Sequence, residues 1–336
     1  MEDLIRSISG VIKDYRDGEF GLLNEEHVLR WVNQFDSEDR IVVLEETNRI
    51  LKKNYISKDV FLAFVTGLVT SEKFASNSPR AFWSNVSLCN IQINGNSQSE
   101  LVELLNNEVY KNYGRRSSIN GNSEHHIYID DFLFSGNRLI SDMRTWISES
   151  APAQCHVSVV MMGWYQGGIY YVQKQLKKIA LENKKNITFK YWSKVDFRLD
   201  NRLITKDDSH VFWPDASVSE IPSVSSFIKS LNTVPRFRVV NGKKNKVFSV
   251  DRRSQYEAAM LKAGIKILGF CANPNIVVKP LGYNRFDGFG FGSTVFSYRN
   301  CPNNNPLAFW WGDPRYSNAH PFGKWYPLMQ RSTYGN

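Results

Sequence analysis

Residues 125–146 read HHIYIDDFLFSGNRLISDMRTW and carry the signals of a strand, a turn and a helix in immediate succession. The apolar run at residues 127–129 is typical of a strand buried on both faces, and two adjacent carboxylates, Asp130 and Asp131, follow it. After a short apolar bridge comes a small polar turn at residues 135–138, beyond which apolar residues recur at helical spacing. The N–H groups of such a turn and the positive end of a helix suit an anion, and paired carboxylates accept hydrogen bonds from the vicinal hydroxyls of a sugar. The pattern therefore predicts a phosphate site with a sugar site beside it.

The regions on both sides of this stretch alternate between strand and helix patterns. Further strands are predicted at residues 86–93, 156–162 and 187–192, and further helices at residues 100–110 and 169–182. Such alternation predicts an α/β fold with a parallel sheet and helices on both faces. In sheets of this kind ligands bind beyond the carboxyl ends of the strands. The polar loop at residues 94–99 and the turn at residues 135–138 are both predicted to lie there.

The N-terminal residues have a different sequence pattern from this α/β region. Residues 1–75 read as short amphipathic helices, one of them capped by Asn24, and a polar break containing Pro79 follows. We therefore predict a helical accessory region at residues 1–75 and a main domain at residues 76–336. The N-terminal helices are either packed on the main domain or form a helix-turn-helix reader of DNA, although they lack a base-reading pattern of Arg, Asn and Gln.

Composition narrows the class of protein. The chain has 336 residues, of which 42% are hydrophobic and 22% charged, as in ordinary soluble globular proteins. It has no apolar run of membrane-span length, an acidic start, and four cysteines without metal-ligand spacing. These features predict a cytoplasmic protein with reduced thiols and no membrane association. A net charge of +9 favours an anionic partner, either a nucleic acid or a phosphate-rich small ligand.

Residues 129–138, IDDFLFSGNR, resemble the signature of type I phosphoribosyltransferases, which bind phosphoribosyl pyrophosphate (PRPP). The resemblance implies that the catalytic acids Asp130 and Asp131 hold the ribose 2- and 3-hydroxyls. It implies that the 5-phosphate and its surroundings are bound by Phe134, Ser135, Gly136, Asn137 and Arg138. Ser135 replaces a usual Thr and keeps the hydroxyl, whereas Arg138 replaces a small hydroxyl residue and either adds a phosphate contact or fills the site. Gly136 is expected to have a positive φ or to lie against the phosphate.

The order of the loops extends this resemblance. In the type I family the loop one strand before the signature binds pyrophosphate, which implies that role here for Asn96, Ser97 and Gln98. This loop has no Arg or Lys, so tight pyrophosphate binding would need charge from Mg²⁺ or from a partner subunit. Mg²⁺ is therefore the expected cofactor, held by Asp130 and Asp131 indirectly, through the Mg–PRPP complex.

The C-terminal part of the chain is the candidate for the hood, the subdomain that covers the base in type I enzymes. From about residue 206 to residue 336 the hood is predicted to be irregular and rich in aromatic residues. Residues 206–234 are rich in Ser, Asp and Pro and are predicted to be irregular, residues 256–267 are predicted to form an amphipathic helix, and Gly and aromatic residues follow. Phe309, Trp310 and Trp311 are available there to stack on a base.

From about residue 80 to residue 331 the chain also resembles a subgroup, the phosphoribosyltransferase-like proteins of bacterial conflict systems, including retron anti-phage cassettes. The matching features are residues 80–85, 97–98, 124–138, 256–261, 288–292 and 303–311. This resemblance implies a toxic anti-phage effector that binds PRPP or a nucleotide, acts at ribose C1 and works with a reverse transcriptase and nucleic acid. Two alternatives stay open: a domain that senses PRPP or a nucleotide without turnover, and a nucleic-acid-associated adaptor.

Overall fold

The computed structural model describes residues 1–75, 78–93, 97–284 and 287–331. The α-helices among these residues are α1 (Glu2–Ile12), α2 (Glu25–Val32), α3 (Arg40–Asn54), α4 (Lys58–Thr70), α5 (Glu72–Ala75), α6 (Pro79–Asn85), α7 (Ser97–Tyr113), α8 (Asn137–Glu149), α9 (Gln166–Glu182), α10 (Pro222–Lys229), α11 (Arg253–Leu268) and α12 (Leu307–Trp310). The β-strands are β1 (Tyr55–Ile56), β2 (Val86–Cys89), β3 (Ser118–Ile119), β4 (His125–Leu133), β5 (Gln154–Tyr165), β6 (Asn186–Trp192), β7 (Arg198–Leu199) and β8 (Phe296–Ser297). None of the helices in the described ranges is both long enough and apolar enough to cross a membrane.

The chain divides into two compact units, one of residues 59–199 and one of residues 1–58 together with residues 200–336. This division differs from the boundary that the sequence predicts between residues 75 and 76. The reason is that α1, α2 and α3 bury their apolar faces in the same core as the C-terminal residues. Core formation of this kind joins segments that are far apart in the sequence, so a local composition break does not reveal it.

The unit of residues 59–199 is built on a parallel sheet, which confirms the predicted α/β class. Its strands lie in the order β3-β2-β4-β5-β6, and β7 also pairs with β5. Each described pairing in this sheet is parallel, and β4 is the middle strand of the main path. The helices α7, α8 and α9 form the crossovers between successive long strands. The central position of β4 explains why its residues 127–129 are apolar on both faces.

The helix α8 packs on this sheet through the periodic apolar residues that predict it. Leu139, Met143 and Ile147 are buried in one cluster with Tyr128 of β4 and Val172 of α9. The strands, however, differ in length from the predictions: β2 ends at Cys89, whereas β4 and β5 extend to Leu133 and Tyr165. The acid pair therefore lies inside β4 rather than after it.

The unit of residues 1–58 and 200–336 has a helical core surrounded by irregular segments. Trp31, Tyr256 and Phe309 are almost completely buried in this core, and the helix α2 is capped by Asn24, whose side chain accepts a hydrogen bond from the His27 N–H at 3.0 Å. The predicted cap is thus confirmed. The helix α3 buries Val43 and Ile50 in this core and leaves Arg49, Lys52 and Lys53 exposed. The N-terminal helices are thus packed against C-terminal residues, and the helix-turn-helix alternative stays a prediction.

Buried charges hold the irregular segment before α11 in place. Arg238 is only 4% exposed and pairs with Asp207, Asp215 and Glu257, the last at 2.9 Å. Arg253, at the start of α11, also pairs with Glu257 at 2.9 Å. The stretch at residues 206–234, predicted as irregular, includes the regular helix α10, which begins at Pro222, where a proline costs no hydrogen bond.

Candidate functional site

The acid pair occupies the second half of the central strand. Asp130 is 8% exposed and lies opposite Met161 of β5, while Asp131 is half-buried. The Asp131 N–H donates to Asp130 Oδ1 at 2.9 Å, and the Phe132 N–H donates to Asp131 Oδ1 at 2.7 Å. Backbone hydrogen bonds therefore fix one oxygen of each carboxylate. Within the described residues Asp131 Oδ2 has no hydrogen-bond partner, so it is available to a hydroxyl of a ligand.

The turn after β4 is built around a left-handed glycine. Gly136 has a φ of +81°, which confirms the expected positive φ, and it immediately precedes α8. A Cβ atom at this position would lie 2.3 Å from Val172 Cγ2 of α9, so a side chain is excluded by contact as well as by conformation. Ser135, Asn137 and Arg138 are exposed beside it. The first N–H groups of α8 have no acceptor within the helix, and they form the positive end of the helix dipole, where an anion is favoured.

The start of α9 holds this turn from the other side. A Cβ atom on Gly168 would lie 1.9 Å from the carbonyl oxygen of Phe134, so only glycine allows α9 to approach the turn this closely. Gly167 and Gly168 were not among the site residues predicted from the sequence. Two adjacent glycines at the start of an otherwise regular helix were the signal for a close backbone approach.

A buried carboxyl on α8 was not among the residues predicted from the sequence. Asp142 is 3% exposed; it accepts hydrogen bonds from the Ile93 N–H at 3.3 Å and from the Tyr128 hydroxyl at 3.4 Å. Burial raises the pKa of Asp142, although the Ile93 N–H and the guanidinium of Arg138 partly oppose this. The side chain thus connects α8 with the loop that follows β2. An acidic residue on the apolar face of a helix was the available signal.

Two glutamines shape the base of the loop after β2. Gln98 is fully buried, and its Oε1 accepts hydrogen bonds from the N–H groups of Ile91 at 2.7 Å and Gln92 at 2.9 Å. In return, Gln92 Oε1 accepts hydrogen bonds from Ser97 Oγ at 3.1 Å and from the Gln98 N–H at 2.9 Å. The predicted ligand contact of the Gln98 side chain is therefore replaced by a structural role. Asn96 lies outside the described residues.

The Gln92 amide nitrogen is the available donor at this loop. Gln92 Nε2 is shielded from solvent and has no hydrogen-bond partner within the described residues. It lies on the carboxyl side of β2, the side on which ligands bind in parallel sheets. A shielded donor of this kind suits an anionic oxygen of a ligand.

The predicted stacking residues are core residues of the unit of residues 1–58 and 200–336. Phe309, Trp310 and Trp311 are 0%, 5% and 8% exposed there. The ring of Phe309 stacks on Trp31 with a centroid distance of 5.8 Å, and Trp310 Nε1 donates to the Asn305 carbonyl at 2.8 Å. Their ring faces are occupied by protein, which argues against a base-stacking role.

The sheet itself supplies aromatic residues beside the acid pair. The ring of Phe132 lies 5.1 Å from that of Phe134 and 5.6 Å from that of Tyr165. Trp164, at the end of β5, has an indole N–H that is shielded and has no partner among the described residues. The half-buried Phe134 and the Trp164 N–H are therefore better placed to contact a ligand than the predicted aromatic residues.

A magnesium ion could be held here only together with a ligand. No cluster of three or more His, Cys, Asp or Glu side chains suited to a metal occurs in the part of the chain that the structure describes. Mg²⁺ is commonly bound by one or two carboxylates together with substrate phosphates and water. Asp130 and Asp131 fit that pattern as a source of oxygen ligands, but they do not form a complete site by themselves.

The comparison with known families agrees with this geometry. The model of the PRTase-CE family matches residues 28–331, a range that includes the whole sheet and the acid pair. No curated protein matches the chain. The matched range also includes the glycine turn between β4 and α8. The chain therefore belongs to the PRTase-CE family and is phosphoribosyltransferase-like.

Proposed function

We propose that the site between β4 and α8 binds the ribose 5-phosphate part of PRPP or of a nucleotide. We further propose that the protein acts at C1 of that ribose, as a phosphoribosyltransferase or as a nucleotide glycosidase. The observation that carries the proposal is the pair of carboxylates on the central strand, followed by a left-handed glycine at a helix N-terminus. Carboxylates alone would suit many ligands, but carboxylates next to an anion-binding turn suit a phosphorylated sugar.

The turn supplies the donors for the 5-phosphate. Ser135 and Asn137 are exposed, and the Asn137 N–H, the first of α8, donates to the Ser135 hydroxyl oxygen at 3.5 Å, so both groups lie together at this helix N-terminus. The guanidinium of Arg138 is exposed in the same turn and can add a charge-assisted hydrogen bond. Gly136 allows α9 to pack closely against the turn, because a side chain there would collide with Val172.

The carboxylates act on the ribose. Their oxygens accept hydrogen bonds from the 2- and 3-hydroxyls and so fix the position of C1. Positive charge builds up at C1 as the bond to the leaving group breaks, and two nearby carboxylates stabilise that charge through the sugar. Mg²⁺, when bound with the ligand, would neutralise a pyrophosphate leaving group. Gln92 Nε2 is a further donor toward that group, since it is shielded and has no partner within the described residues.

The cellular role that we propose is that of a cytoplasmic effector in a bacterial anti-phage system of the retron type. The support for this role is the resemblance of residues 80–331 to the proteins of such systems. A net charge of +9 favours a polyanionic partner, such as a complex of reverse transcriptase and nucleic acid. If the proposed reaction consumes the PRPP or the nucleotides of the cell, their depletion would account for toxicity.

A second candidate function is the sensing of PRPP or a nucleotide without turnover. It is favoured by the sequence of residues 94–99, NGNSQS, which contains no Arg or Lys. It is also favoured by Gln98, whose side chain is fully buried and hydrogen-bonded to the backbone. A weakly held pyrophosphate would reduce the stabilisation of the leaving group while leaving the ribose-phosphate contacts in place.

Calorimetric titration of the full chain with PRPP and Mg²⁺ tests the proposal. The double variant Asp130→Asn/Asp131→Asn should bind at least about tenfold more weakly, since hydrogen bonds to charged groups contribute about 1.5–3 kcal/mol each. The control variant Glu103→Gln/Glu149→Gln also removes two negative charges, from exposed positions on α7 and α8, and should bind like the parent. Circular dichroism checks that both variants are folded.

The same samples separate turnover from sensing. For this purpose PRPP and Mg²⁺ are incubated with a mixture of free nucleobases, and nucleoside monophosphates are incubated separately, and both reactions are followed by chromatography over time. Formation of a nucleotide with release of pyrophosphate, or hydrolysis of a nucleotide to free base and ribose 5-phosphate, would support the enzyme. Saturable binding without any product would support the sensor. A folded Asp130→Asn/Asp131→Asn variant that binds PRPP as tightly as the parent would contradict both functions.

A further inference from the structure

A basic cavity lies in the unit of residues 1–58 and 200–336, and none of its lining residues belongs to the β4–α8 site. Its volume is about 450 Å³, and its walls come from α3 and from the segment that precedes α11. Four cationic side chains line it: Arg49, Lys52, Lys53 and Arg252. Lys53 Nζ also donates to the Lys246 carbonyl at 2.6 Å, across 193 positions of sequence. Folding therefore brings together cations that are widely separated along the chain.

The carboxylates in the cavity wall already have partners. Glu46 is 2% exposed and accepts hydrogen bonds from the Ser249 N–H at 3.0 Å and from its hydroxyl at 2.6 Å, and Arg49 approaches it to 3.4 Å. Glu45 pairs with Arg252 at 3.5 Å. Within the described residues neither Lys52 nor Lys53 has a carboxylate within ion-pair distance. These two ammonium groups are the uncompensated charges of the cavity.

The electrostatics of Lys53 agree with this assignment. Burial lowers its pKa, and the neighbouring cations Arg49 and Lys246 lower it further, whereas Glu46 opposes them only weakly. An anion between the lysines would stabilise the charged form and remove this repulsion. The cavity is thus arranged for a negatively charged ligand.

The neutral groups of the cavity indicate more than a bare anion. Asn48 Oδ1 is shielded from solvent and has no hydrogen-bond donor within the described residues. Leu4 adds an apolar wall. A ligand that satisfies all these groups carries negative charge at one end and a hydrogen-bond donor with an apolar body at the other.

Size and shape favour a compact molecule over a nucleic-acid strand. A volume of about 450 Å³ is in the range of small-molecule sites. Nine residues line the cavity, and a longer nucleic-acid strand would extend beyond them. We propose that this cavity is a second anion-binding site, which takes a nucleoside polyphosphate with its phosphates between Lys52 and Lys53 and its polar base or sugar at Asn48. The proposal is independent of the function assigned to the β4–α8 site.

Titration of the full chain with ATP and, separately, with inorganic tripolyphosphate tests this inference. The variant Lys52→Ser/Lys53→Ser should weaken both probes by about tenfold or more, because it removes two charge-assisted contacts. The control variant Lys177→Ser/Lys178→Ser removes two lysines from α9 in the other unit and should leave both affinities unchanged. Asn48→Ala should weaken ATP but not tripolyphosphate, which has no donor for that residue.

Three further measurements distinguish this cavity from the β4–α8 site and from a nucleic-acid groove. Because Lys53 also holds the Lys246 carbonyl, the single variant Lys52→Glu, with Lys177→Glu as its control, tests the charge without removing that bond. ATP is also titrated into the Asp130→Asn/Asp131→Asn variant, in which nucleotide binding at the β4–α8 site is weakened. Saturable ATP binding that remains there and is lost on adding Lys52→Glu belongs to this cavity, whatever the outcome for the β4–α8 proposal. The inference is overturned if neither probe binds saturably, or if the Lys52 and Lys53 variants bind like the parent. It is also overturned if a 20-nucleotide DNA binds with a steep salt dependence and ATP does not compete with it.

Discussion

A double-mutant cycle between Gly136 and Val172 tests whether the turn at the proposed phosphate site has the geometry described. Alanine at position 136 would have to adopt a φ of +81°, which costs about 1–2 kcal/mol for a residue with a Cβ atom. Its Cβ atom would also lie 2.3 Å from Val172 Cγ2, and overpacking of this kind costs about 1–3 kcal/mol, since a β-branched side chain cannot easily rotate away. Gly136→Ala should therefore lower the free energy of unfolding by about 2–5 kcal/mol.

The partner mutation separates the two contributions. Val172→Ala removes the colliding methyl groups, and by itself it should cost at least about 1.6 kcal/mol, because two buried methyl groups are lost. In the double variant the backbone strain remains but the collision is absent. The combined loss should thus be about 1–3 kcal/mol smaller than the sum of the two single losses.

Urea unfolding followed by tryptophan fluorescence measures these differences. PRPP titration of the same variants should show weaker binding in both variants that carry the Gly136→Ala substitution, because the turn has changed shape. Additive losses, within about 0.5 kcal/mol, would refute the claim that α9 requires a glycine at this turn.

Three further predictions concern residues whose roles the structure revises. Asp142→Asn should raise the urea midpoint at pH 7. Burial raises the pKa of the Asp142 carboxyl in the folded protein, so the parent loses stability as the pH rises above 3.8, the ordinary pKa of an aspartate. The amide side chain of the variant does not ionise, so the variant does not suffer this loss. The gain should shrink as pH falls toward that value, and a loss of equal size at every pH would contradict this reasoning. Gln98→Leu should lower the free energy of unfolding by about 2–5 kcal/mol, since it leaves the N–H groups of Ile91 and Gln92 without an acceptor. Calorimetry measures the melting temperature, and a value equal to that of the parent would contradict this role of Gln98. Phe309→Ala should lower the free energy of unfolding by about 3–5 kcal/mol. The folded fraction of this variant should bind PRPP with the affinity of the parent. A stable variant with a selective loss of PRPP affinity would restore the stacking hypothesis.

Local signals in the sequence were sufficient to predict the strand, turn and helix of the candidate site. The apolar run of β4, the glycine of the turn and the apolar face of α8 each act over a few residues, so they can be recognised without tertiary contacts. The left-handed conformation of Gly136 belongs to this class. The parallel direction of the strands was also predicted, because it depends on the alternation of strands and helices along the chain.

Features that depend on distant partners could not be predicted in this way. Asp142 is buried because Ile93, 49 positions earlier, donates to it, and no local pattern contains that contact. Phe309 has the composition of a stacking residue, but its ring faces Trp31 in a core formed by both ends of the chain. The role of Gln98 was missed for a different reason: its side chain accepts hydrogen bonds from N–H groups six and seven positions earlier, and this contact depends on how the loop folds rather than on a sequence pattern.

The most direct test of the proposed ribose-phosphate site is a crystal structure of the full chain soaked with PRPP and Mg²⁺. We expect density for the 5-phosphate within hydrogen-bond distance of the Ser135 hydroxyl and of the first N–H groups of α8. We also expect the ribose 2- and 3-hydroxyls to face Asp130 and Asp131. PRPP bound elsewhere on the chain, with the turn at Gly136 empty, would contradict the proposal.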